Sequence, residues 1–145
     1  MASIDKIRVN GTDYDIEGKN IYSTNEKQIG TWIDGKPLYK ITIQDTIPTP
    51  STDRTVTSKT INISALNWEY INIEEAVFIF FGANRWQSYS LPYSTSDNSY
   101  KVYTYIYSDS DLRILNNRID YGGADVYITL YYTKTTDVSE LDTSL

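Results

Sequence analysis

Ala124-Asp125-Val126-Tyr127-Ile128-Thr129-Leu130-Tyr131-Tyr132 decides how this chain is read. Val126, Ile128, Leu130 and Tyr132 recur at every second position, with Tyr127, Thr129 and Tyr131 between them. Successive side chains of a strand point to opposite faces, so this spacing describes a strand with one face on a core. A helix would scatter both sets around its circumference.

The same period appears upstream. In residues 99–108, Val102, Thr104 and Ile106 share one face and Tyr103, Tyr105 and Tyr107 the other. Ile61 and Ile63 also point one way. Ala76-Val-Phe-Ile-Phe-Phe81 is a continuous apolar run, which predicts a strand buried on both faces. Gly82-Ala-Asn84 turns the chain, and residues 85–91 bring it back. Residues 66–73 fit neither period, while 112–115 follow a turn at Asp109-Ser-Asp111. Fourteen tyrosines, with abundant Thr, Ser and Ile, suit a pleated, half-buried surface. The expected fold is all-β: an antiparallel β-sandwich of jelly-roll type, preceded by N-terminal β-hairpins.

Ile7-Arg-Val-Asn-Gly-Thr-Asp-Tyr-Asp-Ile16 reads as the first hairpin. Asn10-Gly11 suits a two-residue turn that needs positive φ at both positions. Ile29-Gly-Thr-Trp-Ile33 and Leu38-Tyr-Lys-Ile-Thr-Ile43 form the second, around Asp34-Gly35, with Pro37 at the start of the return strand. Isolated hairpins bury little. These two are expected to pack on the main domain, on each other or on sister chains. Ile7, Tyr14, Tyr22, Trp32, Leu38 and Tyr39 are the candidate attachment and oligomer contacts. Thr46-Ile-Pro-Thr-Pro-Ser-Thr-Asp53 interrupts the pattern. It marks either a boundary or a long loop inside one domain. As a boundary it divides an attachment segment, 1–47, from a sandwich domain, 48–137, with 138–145 as a polar tail.

The 145 residues contain no cysteine and no histidine. Disulfides, thiol chemistry, Ser-His-Asp sites and HExxH metal sites are therefore impossible within this chain. Thirteen basic residues against nineteen acidic ones leave a net charge of −6, with no basic stripe. Nucleic acid and anionic membrane surfaces are poor partners for such a chain. Met1-Ala-Ser-Ile-Asp-Lys6 has no apolar signal core, and no apolar run approaches the length of a bilayer span, so no membrane insertion is expected. Asp109, Asp111 and Asp120 suggest a calcium loop, but Ile114 stands where that loop needs glycine. Glu74-Glu75 is the one adjacent carboxylate pair with an appeal for glycoside cleavage, and strand alternation would point the two apart. No catalytic residue, cofactor or metal is expected.

The aromatic set is the remaining candidate. A ring covers the apolar face of a sugar while amides and carboxylates read its hydroxyls. Trp86, Gln87, Tyr89, Tyr93 and Asn98 cluster around a turn and a loop and form the candidate glycan site. The stripe Tyr103, Tyr105 and Tyr107 is read as cross-strand packing or a subunit interface.

Tyr22, Ser23, Thr24, Glu26, Ile29, Gly30, Trp32, Ile33, Asp34, Gly35, Lys36, Pro37, Leu38 and Tyr39 form a pattern that resembles a segment of tail-fibre-like and minor structural proteins of bacteriophages and prophages. The ending Tyr132-Thr-Lys-Thr-Thr-Asp137 resembles the closing strand of the same proteins. The middle of the chain carries no such likeness. The resemblance implies a non-enzymatic virion protein: a fibre, receptor-binding or head-decorating subunit assembled in a bacterial cytoplasm. It further implies a homotrimer, contacts with other virion proteins, and attachment to a host-surface glycan. A free-standing carbohydrate-binding module is the alternative.

Overall fold

The computed structural model describes residues 22–82 and 84–140, together with the backbone of two strands further upstream. Those two are β1 (Lys6–Val9) and β2 (Thr12–Asp15), paired antiparallel with Ile7 opposite Tyr14 and Val9 opposite Thr12. Asn10-Gly11 and the side chains of Ile7 and Tyr14 lie outside the described residues.

Nine strands follow: β3 (Lys27–Thr31), β4 (Pro37–Thr46), β5 (Thr57–Asn62), β6 (Trp68–Gly82), β7 (Arg85–Ser90), β8 (Tyr93–Ser94), β9 (Lys101–Ile106), β10 (Asp111–Asn116) and β11 (Asp125–Lys134). They form two antiparallel sheets, one ordered β3-β4-β11-β6-β7 and the other β5-β10-β9-β8. Phe78, Ala76, Val126, Ile128, Leu130 and Tyr132 of the first sheet meet Val102, Leu112 and Ile114 of the second in one buried cluster. The fold is thus all-β, with the alternation expected for β11 and β9.

Position in the sheet explains the residues of β11. As the central strand it pairs with β4 on one side and β6 on the other. Its inward set, Val126, Ile128, Leu130 and Tyr132, is fully buried. β6 is less regular. Ile71 and Ile73 face the core at odd positions, whereas Ala76 and Phe78 face it at even ones. A bulge reconciles the two phases: Thr129 pairs with Glu75 and Leu130 with Ile73, leaving Glu74 as the extra residue. A second register shift, from Ile71 opposite Tyr132 to Trp68 opposite Lys134, falls inside residues 66–73 and is why they fit no single period. The structure also corrects the run 76–81. Only Ala76 and Phe78 are buried there, and Phe81 is 54 % exposed.

β3 and β4 belong to the same sheet as β11, so the 1–47 and 48–137 division does not separate two cores. Ile47 is buried, and its amide donates to the Ala124 carbonyl. Asn116 donates through Nδ2 to the Pro48 carbonyl, and the Ile119 amide donates to Asp53 Oδ1. A Cβ at Gly122 would stand 2.0 Å from Thr49 Oγ1, so a glycine is needed where these two loops cross. Residues 46–53 behave as a pinned loop inside one packed unit. The tail also turns inward: the Glu140 amide donates to the Gly35 carbonyl at 2.7 Å. Residues 141–145 lie outside the described residues.

Candidate ligand-binding face

The glycan candidates do not form one surface. β6 and β7 pair with Phe78 opposite Tyr89 and Phe81 opposite Trp86. Odd and even positions of this hairpin therefore take opposite faces of the sheet. Tyr89 and Tyr93 turn inward, with ring centroids 4.5 Å apart, and pack on Phe78 and on the buried Tyr121. The Gln87 side chain accepts a hydrogen bond from the Tyr89 hydroxyl at 2.6 Å. Asn98 sits in the 95–98 turn at φ 62°, and its Oδ1 accepts from Ser94 Oγ. Tyr89, Tyr93 and Gln87 thus serve the core and its edge, and Asn98 serves a turn. The burial that surrounds Tyr121 pushes its phenol up to about 12, the Tyr93 contact adds to this, and the Arg118 guanidinium opposes it.

Trp86 stands apart from them. It lies on the outer face, 70 % exposed, with its ring 5.1 Å from that of Phe81 in an edge-to-face arrangement. The pair borders a cleft of about 260 Å³ with Ile79, Asp120, Gly122 and Asp125. This is an apolar platform with carboxylates at its rim. Residue spacing could have found Phe81, because it shares a face with Val77 and Ile79; the unbroken apolar run hid it.

The attachment candidates are largely used within the chain. Trp32 stacks on Tyr70 at 4.2 Å, and Tyr39 stacks on Tyr132 at 5.8 Å. The Tyr39 hydroxyl donates to Asp137 at 2.8 Å. Leu38 is half-buried at the start of β4. Glu26 accepts from the Tyr132 hydroxyl and, at 2.7 Å, from the Lys134 ammonium. Lys36 donates to the Lys134 carbonyl at 3.3 Å. The two segments that carry the sequence resemblance, 22–39 and 132–137, therefore meet in one hydrogen-bonded corner.

Tyr22 is 61 % exposed and reaches over the outer face of the same sheet as Trp86. Its ring centroid lies 3.8 Å from the Lys40 ammonium, and its hydroxyl donates to Glu75 at 3.4 Å. With Thr42, Thr129, Tyr127 and Val77 it encloses a groove of about 380 Å³. Thr42 and Thr129 share a hydrogen bond of 3.0 Å in its floor. Alternation does not separate Glu74 from Glu75, because the bulge falls between them, and both are exposed.

Tyr103, Tyr105 and Tyr107 cover the outer face of the second sheet. Neighbouring rings lie 6.2 and 6.3 Å apart, and the Arg113 guanidinium sits 3.4 Å over Tyr107. Among the described residues there is no cluster of three or more metal-ligating side chains, and no helix is long and apolar enough to cross a membrane. No family model, curated protein or solved structure matches this chain.

Proposed function

We propose that this chain is a non-enzymatic structural subunit of a bacteriophage particle, and that it carries its β-sandwich to glycans of the host surface. The observation that carries the reading is the exposed Phe81–Trp86 pair beside Asp120 and Asp125. An exposed indole costs solvation without serving the core, and a flat ring edged by carboxylates suits the apolar face and the hydroxyls of a sugar. The resemblance of residues 22–39 and 132–137 to phage structural proteins supports the virion setting, with a homotrimer as the assembly. A free-standing carbohydrate-binding module is the second reading, and the same platform favours it.

Two measurements test this. Peptides of the chain are expected in purified particles, and native mass spectrometry is expected to give a trimer at micromolar concentration. A monomer with no virion peptides would leave only the second reading. Trp86→Ala is expected to abolish binding of the labelled protein to host cells. Undiminished cell binding by that variant would remove the platform from either role.

A further inference from the structure

Resting on the glycan reading, we infer that the ligand is an extended, neutral polysaccharide chain that runs along the outer face of β6, from the Tyr22–Tyr127 groove to the Phe81–Trp86 platform. The register joins the two clefts. Tyr127 pairs with Val77 and Asp125 with Ile79 on one side of β6, while Ile79 pairs with Ser88 and Phe81 with Trp86 on the other. No bulge interrupts β6 between Glu75 and Phe81, so Glu75, Val77, Ile79 and Phe81 share one face. At about 3.3 Å per residue these four positions span roughly 20 Å, longer than a single sugar ring needs.

The chemistry of the strip selects the ligand. Val77, Ile79 and Phe81 give an apolar floor along β6, and polar groups flank it: Glu75, Asp125, and Ser88 and Ser90 across the β6–β7 pairing. Gln44, beside Tyr22 and Tyr127 at the groove's near end, is exposed, and its amide has no hydrogen-bond partner among the described residues. Rings at the two ends, Tyr22 and Tyr127 at one and Phe81 and Trp86 at the other, with an aliphatic floor between them and hydrogen-bonding groups along the sides, match a polymer whose repeating units offer apolar faces and hydroxyl edges. The residues lining the two clefts include Glu75, Asp120 and Asp125 and no lysine or arginine; Lys40 is buried against the Tyr22 ring and Arg118 pairs with Asp120, so the accessible charge of the strip is mainly carboxylate and disfavours an anionic polymer. An extended peptide is a poor occupant of the groove, because β4, β11 and β6 are interior strands with no open edge there to pair with.

Isothermal titration calorimetry of the full chain against neutral glucans, mannans, galactans and N-acetylhexosamine oligomers of two to six units tests this, with polygalacturonate oligomers as the anionic arm. Affinity for one neutral series is expected to rise at least about tenfold from dimer to hexamer, as linked subsites fill. Tyr127→Ala and Gln44→Ala are expected to flatten that rise, and Trp86→Ala to remove binding at every length. Gln44→Ala keeps the test open if Tyr127→Ala fails to fold. A hexamer bound equally by wild type, Tyr127→Ala and Gln44→Ala but not by Trp86→Ala would overturn the extended face and keep the platform. Preference for the anionic series would overturn the neutral assignment. Silence of the wild type across all neutral series would overturn both readings.

Discussion

Single residues in this chain divide into those that hold the sandwich and those that face away from it, and sequence alone assigns several aromatics to the wrong group. Phe78 is fully buried and touches Tyr89, Tyr93 and Tyr121, so Phe78→Ala is expected to cost about 3–5 kcal/mol in urea unfolding. Trp86 contacts Phe81 on an open face, so Trp86→Ala is expected to change stability by less than about 1 kcal/mol, with the same denaturant slope. The tyrosines also set an alkaline limit. Burial first, and then the hydrogen bond to Asp137, push Tyr39 up to about 12; burial followed by the hydrogen bond to Glu26 raises Tyr132 further. These phenols hold their protons more tightly folded than unfolded. Their contribution to stability is whole below about pH 10, where unfolded tyrosines ionise, and is lost as pH rises through 12 and beyond. Phenolate absorbance followed against pH should show these tyrosines ionising late and together with loss of the β-sheet circular dichroism. A single midpoint near 10 for every tyrosine would contradict this.

At the scale of the element, β6 is the informative strand, because its two halves present their apolar residues in opposite phase. A one-residue slip exchanges the two faces of a strand, and the extra residue Glu74 absorbs that slip. Deleting Glu74 leaves Thr129 opposite Glu75 and Leu130 opposite Ile73, so the inward set survives. Deleting Val77 instead either moves Ala76 outward and Glu75 into the core or turns Phe78 outward. The first deletion is therefore expected to fold with a modest drop in urea midpoint, and the second to lose cooperative unfolding. Equal midpoints would show that the bulge does not set the phase. The β3–β4 hairpin is simpler. Asp34 Oδ1 accepts from the Lys36 amide at 2.9 Å, Gly35 takes φ 87°, and Pro37 opens β4. Each of these features is visible in the order of residues, because turn chemistry is local.

For the whole molecule, the decisive contacts join segments that are far apart in sequence. The corner built by residues 26–39 and 132–140 closes the sheet by linking β3 and β4 to the end of β11. Removing residues 135–145 deletes the Tyr39–Asp137 bond, the Ser139 hydroxyl on the Asp34 carbonyl, the Glu140 amide on the Gly35 carbonyl and the Thr135 amide on the Asn67 carbonyl. At about 0.5–1.5 kcal/mol net for each bond, this truncation is expected to cost about 2–6 kcal/mol in chemical denaturation. A cost under about 0.5 kcal/mol would mean that the tail is only laid on the surface. The same corner accounts for Trp32 and Tyr39, whose rings are spent on Tyr70 and Tyr132 within the chain.

By itself the sequence determined the all-β class, the two faces of β9 and β11, the β3–β4 turn, and the absence of histidine and cysteine chemistry. These follow from period, local turn preference and composition, which depend on neighbours a few residues away. Only the tertiary structure decided that residues 46–53 are a pinned loop, that Tyr89 and Tyr93 belong to the core while Trp86 and Phe81 face outward, and that Tyr22 and Tyr127 wall a groove. Those outcomes depend on which strands pair and where a bulge falls. Pairing couples residues as distant as Glu26 and Lys134, and no local pattern along the chain encodes that partnership.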